Sequence, residues 1–146
     1  MGQVSYYVWL TKQFTAPINV AIPSGNFGNA YSAWFGRNHG LPINEILCST
    51  NVNDVLRRFI DGGVLEPHVT QPSVAPSMDI QIPSSLERLI FDLCSDAKSF
   101  YDQLQTNSKA QLDEKSIDGL QNVFSSITFS DENITTLIQS LHDEFA

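Results

Sequence analysis

The chain has 146 residues, of which 42% are hydrophobic and 16% are charged. This composition is typical of a globular domain and excludes a disordered or fibrous protein. With 16 acidic and 8 basic residues the formal net charge is −8, so we expect neither nucleic acid nor an anionic membrane surface as a partner. No apolar run reaches the roughly 20 residues of a membrane helix, and the first residues lack the basic segment of a secretion signal.

Charge and cysteine content add two expectations. Residues 1–90 hold six acidic and five basic residues, whereas residues 91–146 hold ten acidic and three basic residues. The second part is therefore expected to differ in structure from the first. Cys48 and Cys94 stand far apart in apolar company, which favours buried, reduced thiols over a disulfide and predicts a cytoplasmic protein.

The first elements in the chain alternate between helix and strand. Apolar residues around Tyr7 recur at helical spacing, and the pattern ends before Pro17. The run from Ile18 to Ile22 is apolar and rich in β-branched residues, which predicts a strand buried on both faces. A glycine-containing loop follows, and then a helix that ends near Gly40, because a proline stands just beyond it.

A second strand and helix follow the same order. The apolar run from Ile43 to Ser49 predicts a strand, and Asn51 or Asn53 is expected to cap a helix that ends at Gly62-Gly63. The succession β-α-β-α predicts an α/β fold with a parallel sheet.

The residue pattern becomes helical and acidic after a proline-rich loop at residues 67–83. Ser84 with Glu87 has the spacing of a capping box and predicts the start of a helix. Further helices are predicted after Ser95 or Asp96, over Leu120 to Ile127, and after a cap at Ser130. We therefore divide the chain into an α/β part, residues 1–83, and an acidic helical extension, residues 84–146.

The loop after the first predicted strand, Ser24-Gly25-Asn26-Phe27-Gly28-Asn29, has the chemistry of a phosphate site. A helix that begins there presents free N–H groups and the positive end of its dipole, and glycines let an anion approach the backbone. The Ser24 hydroxyl and the amides of Asn26 and Asn29 are further donors. A tight strand-to-helix turn that needs glycine for its dihedral angles explains the same residues equally well. The spacing matches neither the P-loop nor the dinucleotide fingerprint.

At these residues the sequence resembles a known family. The segment Ile22 to Asn29 is similar to the phosphate-binding segment of threonine synthase, a pyridoxal-phosphate enzyme of the tryptophan-synthase-β fold type, and of its threonine-synthase-like relatives. Further landmarks of that family follow in the same order: Gly40 to Ile43, Ser49 to Asp54 with Arg58-Phe59, and Pro76 to Ile80 with Leu86 to Leu89. The resemblance is detailed from Met1 to Leu93 and only general thereafter.

The resemblance implies a site and an activity. Gly25, Asn26, Phe27, Gly28 and Asn29, with Ser24 beside them, would hold the phosphate of pyridoxal 5′-phosphate. The family converts O-phosphohomoserine and water into threonine and phosphate, with the cofactor as an electron sink. The implied fold is part of a parallel-sheet cofactor-binding domain.

The resemblance also points to what this chain lacks. The family's Schiff-base lysine stands in a Ser-Phe-Lys-Asp type segment upstream of the matched region, and none of the lysines here, Lys12, Lys98, Lys109 and Lys115, has that context. We therefore expect an internal fragment of a threonine synthase that is inactive alone and that self-associates through uncovered faces. A catalytically silent relative that binds phosphate or acts in signalling, and a self-sufficient phosphate-binding module, are the alternatives.

The remaining polar candidates have simpler interpretations. The histidines are scattered, so no metal site is predicted, and His39 is expected to interact with the end of a helix. Arg57 and Arg58 are expected to form salt bridges rather than to bind an anionic substrate. Asp79 either faces the active site, as the resemblance allows, or stabilises its loop.

Overall fold

Residues 2–145 are described by a computed structural model. Their elements in chain order are α1 (Val4–Thr11), β1 (Ile18–Pro23), α2 (Gly28–Asn38), β2 (Ile43–Thr50), α3 (Val55–Gly62), β3 (Val64–Leu65), a 3-10 turn (Pro76–Met78), α4 (Leu86–Leu93), α5 (Ala97–Asn107), β4 (Ala110–Gln111), α6 (Glu114–Gln121), β5 (Phe124–Thr128) and α7 (Asp131–Phe145).

A three-stranded parallel sheet forms the centre of the structure. Its strand order is β1-β2-β5, and Val20 pairs with Ile46, which in turn pairs with Phe124. The predicted α/β class and the parallel sheet are thereby confirmed. All carboxyl ends of parallel strands meet at one edge of a sheet, so the loops that follow β1 and β2 are brought side by side.

Helices cover one face of this sheet. Buried and exposed residues alternate along β1, where Val20 and Ile22 are buried while Asn19 and Ala21 are exposed. The prediction that this strand is buried on both faces is wrong, because the helices of residues 2–145 pack on one side of it only. The buried side joins one continuous core that includes Ile46, Phe59 and Leu89.

The predicted helix over Leu120 to Ile127 is also wrong. Helix α6 ends at Gln121, and Phe124 begins strand β5, which completes the sheet beside β2. Phe124 is 3% exposed, and its ring lies 5.4 Å from that of Phe27. A short apolar run of this kind fits the residue spacing of a helix as well as that of a strand. Here the hydrogen bonds with β2 make it a strand.

The capping predictions for the acidic part have mixed outcomes. The Asp96 carboxylate accepts a hydrogen bond from the Ser99 N–H at the start of α5, and the Ser130 hydroxyl accepts one from the Asn133 N–H at the start of α7. Both caps are confirmed. The capping box at Ser84 is wrong, because α4 begins at Leu86 without a side-chain cap and Ser84 faces the loop after β1 instead.

A small antiparallel pair, β3 with β4, links the end of α3 to the segment before α6. The boundary at residue 83 stays a prediction, and β5 from the second part lies in the same sheet as β1 and β2. Among residues 2–145, no helix combines the length and apolar character needed to span a membrane.

Candidate functional site: a neutral anion cradle at the sheet edge

The loop between β1 and α2 forms a concave site at the carboxyl edge of the sheet. The loop begins after Pro23, and the Ser24 N–H donates to the Ser49 carbonyl on β2 at 2.8 Å, so the first loop residue continues the strand pairing. The cavity has a volume of about 220 Å³ and is lined by Gln3, Pro23, Ser24, Gly25, Asn26, Phe27, Gly28 and Asn29. We call this cavity the cradle.

Phe27 holds the loop in its shape. Its backbone lies in the left-handed region, with φ of 67°, a conformation that side chains other than glycine rarely adopt. The side chain is 2% exposed and packs on Phe124. Burial of a ring of this size offsets the strain of the left-handed backbone. The hydrophobic core therefore holds the loop in place through the Phe27 side chain.

The loop that lines the cradle carries unpaired backbone donors. The first intrahelical bond of α2 runs from the Tyr31 N–H to the Phe27 carbonyl, at 2.9 Å. Within residues 2–145, the N–H groups of residues 25–30 have no hydrogen-bond acceptor. They are the unsatisfied donors of a helix start, where the helix dipole adds partial positive charge. These donors match the oxygens of an anion.

The cradle contains no charged side chain among the residues that line it in the described part of the chain. A phosphate bound there would be held by neutral N–H groups and amides alone. Because the chain carries a net charge of −8, these local donors also have to overcome the general repulsion of anions.

The two glycines of the loop allow close packing and do not supply unusual dihedral angles. A Cβ on Gly25 would lie 2.9 Å from Ile80 Cδ1 and 3.4 Å from Met78 Cα. A Cβ on Gly28 would lie 3.3 Å from Gln3 Oε1 and 3.4 Å from Ser85 Oγ. Neither glycine has a positive φ. The explanation by glycine dihedrals is thus wrong, and the strained residue of the turn is Phe27.

The polar side chains of the loop differ in their availability. Ser24 is 5% exposed, and its hydroxyl donates to the Ile22 carbonyl at 3.2 Å, so both of its donors hold the loop on the sheet. The backbone carbonyl of Asn26 accepts a hydrogen bond from the Ser85 N–H at 3.0 Å, which joins the loop to the start of α4. Asn29 is exposed, and its Oδ1 accepts a hydrogen bond from the Tyr7 hydroxyl at 2.6 Å. The place of Ser24 among phosphate ligands stays a prediction.

Cys48 lies beneath the cradle on β2 and is fully buried. Burial raises the pKa of its thiol to about 12, against the smaller opposing effect of a hydrogen bond with Ser24. Cys48 and Cys94 are both free, as predicted. A thiol with this pKa is inert at neutral pH, so Cys48 is a core residue.

A second polar cluster lies at the end of β2, beside the cradle. Asp79 accepts hydrogen bonds from Asn51 Nδ2 at 2.6 Å, from Asn53 Nδ2 at 3.0 Å, and from both the hydroxyl and the N–H of Ser73. Asn51 and Asn53 are 1% and 2% exposed. We call Asn51, Asn53, Ser73 and Asp79 the asparagine cluster. It fixes the loop of residues 66–83, which contacts Gly25.

The cluster corrects one prediction and supports one of the two interpretations of Asp79. Neither Asn51 nor Asn53 caps α3, whose N-cap residue is Asp54. Asp79 stabilises its loop, the simpler of the two interpretations. Hydrogen bonds from Ser73, and then from Asn51 and Asn53, lower the pKa of the Asp79 carboxyl below its ordinary value, because they favour the ionised form.

The other sequence candidates have structural roles. Arg57 and Arg58 both bind the Asp54 carboxylate, at 2.7 and 3.1 Å, as predicted. The ring of His39 stacks on Phe35, and its Nδ1 lies 2.7 Å from the Phe35 carbonyl near the end of α2. Among residues 2–145, no three His, Cys, Asp or Glu side chains are grouped as metal ligands.

Two larger cavities, of about 410 and 560 Å³, lie along α4 and α5. The acidic residue Glu87 lines both of them, and Asp92 also lines the second, whereas no acidic residue among residues 2–145 lines the cradle. The smaller cradle is therefore the better anion site.

The sequence does not reveal two residues at or beside the cradle, Gln3 and Tyr7. Gln3 is the N-cap residue of α1 and lines the cavity, and Tyr7 follows four positions later in the helix, so the two lie on the same side of it. The sequence places Tyr7 on an apolar helix face, but only the packing of α1 against α2 brings its hydroxyl to Asn29. No local pattern carries that information.

These features are typical of one class of protein: α/β proteins in which a helix start after a parallel strand can hold an anionic group. No family model matches the chain. The chain is 32% identical to threonine synthase of Pseudomonas aeruginosa, over 97% of this chain and 32% of that protein. It is 30% identical to threonine synthase of Saccharomyces cerevisiae, over 98% of this chain and 32% of that protein.

A solved structure gives the same result. The crystal structure of pyridoxal-phosphate-bound threonine synthase from Brucella melitensis matches 99% of this chain and 33% of that chain, with a TM-score of 0.92 and 27% identity. The chain is therefore homologous to threonine synthase over nearly its whole length. It spans about a third of the length of the curated relatives it matches.

Proposed function

We propose that this chain is the phosphate-binding part of a threonine synthase, a pyridoxal-phosphate-dependent lyase of threonine biosynthesis that converts O-phosphohomoserine and water into threonine and phosphate. The observation that carries the proposal is the structural match to the cofactor-bound enzyme over 99% of the chain. The cradle supplies an independent reason, since its unpaired N–H groups suit a phosphate ester.

The residues of the cradle fit the cofactor's phosphate. The N–H groups of Gly25 to Asn29 would hold the phosphate oxygens, and Ser24 would keep the loop on β2. A cavity of about 220 Å³ accommodates a phosphate group. When bound, pyridoxal phosphate supplies an electron sink for negative charge that develops on the substrate. The chain's own part is to bind and orient the phosphate end.

This assignment requires a lysine from outside the cradle. No lysine lines the cavity within residues 2–145. Lys98 pairs with Asp102 at 2.8 Å, and Lys109 pairs with Glu66 at 3.6 Å. We propose that the Schiff-base lysine belongs to a part of the enzyme that this sequence does not include, and that the chain alone does not catalyse the reaction.

The cofactor gives a direct test. We expect the chain to bind pyridoxal 5′-phosphate and to lose binding when pyridoxal, which lacks the phosphate, replaces it; titration calorimetry measures both. Borohydride treatment should then yield no lysine adduct at stoichiometric level in peptide mapping. Equal binding of both compounds, or one stoichiometric lysine adduct, would contradict the proposal.

A matched pair of variants tests whether the phosphate binds in the cradle. Asn26→Asp places one negative charge at the mouth of the cradle, whereas Asn44→Asp adds the same charge at an exposed site on β2, where Asn44 bonds Asn19. Both variants change the net charge equally. We expect Asn26→Asp to weaken binding about tenfold, as roughly 1.4 kcal/mol of repulsion would, and Asn44→Asp to leave it unchanged. Equal losses would place the phosphate elsewhere.

A catalytically silent relative that keeps the cradle is the second candidate, and it agrees with the finding that no lysine among residues 2–145 lines the cradle. The complete natural protein decides between the two. A Ser-Phe-Lys-Asp type segment upstream of these residues supports the enzyme, and its replacement supports the silent relative. The free thiols of Cys48 and Cys94 support our proposal of a cytoplasmic location.

A further inference from the structure

The N-cap residue of helix α1, Gln3, forms part of the cradle wall beside the glycine loop. Gln3 lines the cavity, and Tyr7, one turn further along the helix, bonds the side chain of Asn29. Helix α1 packs on α2, and Tyr7 is 5% exposed. The Tyr7 ring is thus held by the core, with its hydroxyl at the rim of the cradle.

The direction of this hydrogen bond decides what Asn29 presents to an anion. An asparagine side chain has an acceptor oxygen and a donor NH₂ group, and rotation by 180° exchanges them. The Tyr7 hydroxyl donates to Oδ1 at 2.6 Å, so Nδ2 is the end of the amide that remains available. The opposite rotamer would present Oδ1 to the anion and repel it.

We propose that Tyr7 is a positioning residue that holds the Asn29 amide with its donor end toward a bound phosphate. This inference rests on the proposed function, because it assigns the orientation of one ligand in the same site. Burial raises the pKa of Tyr7 to about 12, so the phenol keeps the proton that it donates over the whole physiological range. No charged side chain of residues 2–145 lines the cradle, so each neutral donor contributes a large share of the attraction for a phosphate.

The test measures binding of inorganic phosphate and of pyridoxal 5′-phosphate by titration calorimetry. Tyr7→Phe removes one oxygen atom and keeps the ring in the core, and we expect it to weaken both ligands about fivefold, the equivalent of one neutral hydrogen bond of about 1 kcal/mol. Tyr6→Phe is the control, since Tyr6 is the neighbouring residue and is 62% exposed. Thr11→Val is a second control, because Thr11 has a buried hydroxyl that bonds the Tyr7 carbonyl rather than Asn29.

A double-mutant cycle separates positioning from a general structural effect. If Tyr7 acts through the amide, Tyr7→Phe has no further effect on phosphate binding in an Asn29→Ala background. An equal loss in both backgrounds, or a Tyr7→Phe variant that binds like the wild type, overturns the inference and leaves the proposed function intact. A wild-type chain that binds neither ligand overturns the proposed function, and the inference with it.

Discussion

Two turns of this fold each depend on one residue with a left-handed backbone, which the amino-acid composition does not reveal. Phe27 adopts a left-handed conformation, and its ring is anchored in the core by Phe124. Gly63 has a similar φ of 69° at the end of α3. At Gly63 the N–H donates to the Phe59 carbonyl, as in a helix that ends in a left-handed residue. The first position tolerates a side chain because the core holds it, and the second requires glycine.

Gly62 and Gly63 offer a matched test at this scale. A Cβ on Gly63 would lie 2.6 Å from Ile117 Cγ1, whereas one on Gly62 meets nothing within 4 Å. We expect Gly63→Ala to lower the free energy of unfolding by about 1–3 kcal/mol, from strain and overpacking. Gly62→Ala should raise it by up to about 1 kcal/mol through helix propensity. Urea unfolding measures both; similar values for the two variants would contradict the assigned role of Gly63.

At the scale of elements, side-chain hydrogen bonds hold the loop of residues 66–83, which has almost no regular structure. The asparagine cluster supplies its hydrogen bonds, and Gln81 Nε2 adds one to Asn53 Oδ1. A carboxylate that accepts from four neutral donors needs no cation partner. The loop in turn packs on Gly25, so the cluster fixes one wall of the cradle.

The cluster predicts a specific dependence on pH. Because the folded-state pKa of Asp79 is lowered, its ionised form stabilises the fold above the unfolded pKa of about 3.9, and this contribution is lost as the pH falls through the folded value. Asp79→Asn should therefore lower stability at pH 7, and the difference from the wild type should shrink below about pH 4. Urea unfolding between pH 3 and pH 7 measures this. A difference that does not vary with pH would rule out the carboxylate as the cause.

At the scale of the whole molecule, the described residues leave apolar surface uncovered in two places. Along β1 and β2 the second face of the sheet has no helix over it, and Ala21 is exposed there. Along α7 no residue is buried, and Leu137, Ile138 and Leu141 are 48%, 61% and 46% exposed. Both faces are of the kind that proteins usually cover.

We expect the chain to self-associate through such surface, more strongly at high salt, because salt screens the repulsion between copies with a net charge of −8. The variant Leu137→Ser with Leu141→Ser should reduce the association, whereas Thr136→Ser with Gln139→Ser on the same helix should not. Sedimentation velocity over a concentration series measures it. A monomer at all concentrations and salt levels would refute the expectation.

Local sequence signals were enough to predict several elements of the fold. The strand at Ile18 to Ile22, the glycine loop and the helix that follows it were predictable from apolar runs between prolines and from the chemistry of a helix start. The caps at Asp96 and Ser130 were predictable because a cap depends on residues three positions away. The ordered motifs also indicated the similarity to threonine synthase that the relatives and a solved structure show.

Other features depend on partners far away in the chain and could not be predicted from local signals. Phe124 belongs to a strand because β2 provides its hydrogen bonds, and Asn51 and Asn53 bind Asp79 rather than cap α3. Tyr7 reaches Asn29 across 22 positions of the chain. Periodicity and capping rules describe neighbours in sequence, whereas these contacts form only when the helices pack on the sheet.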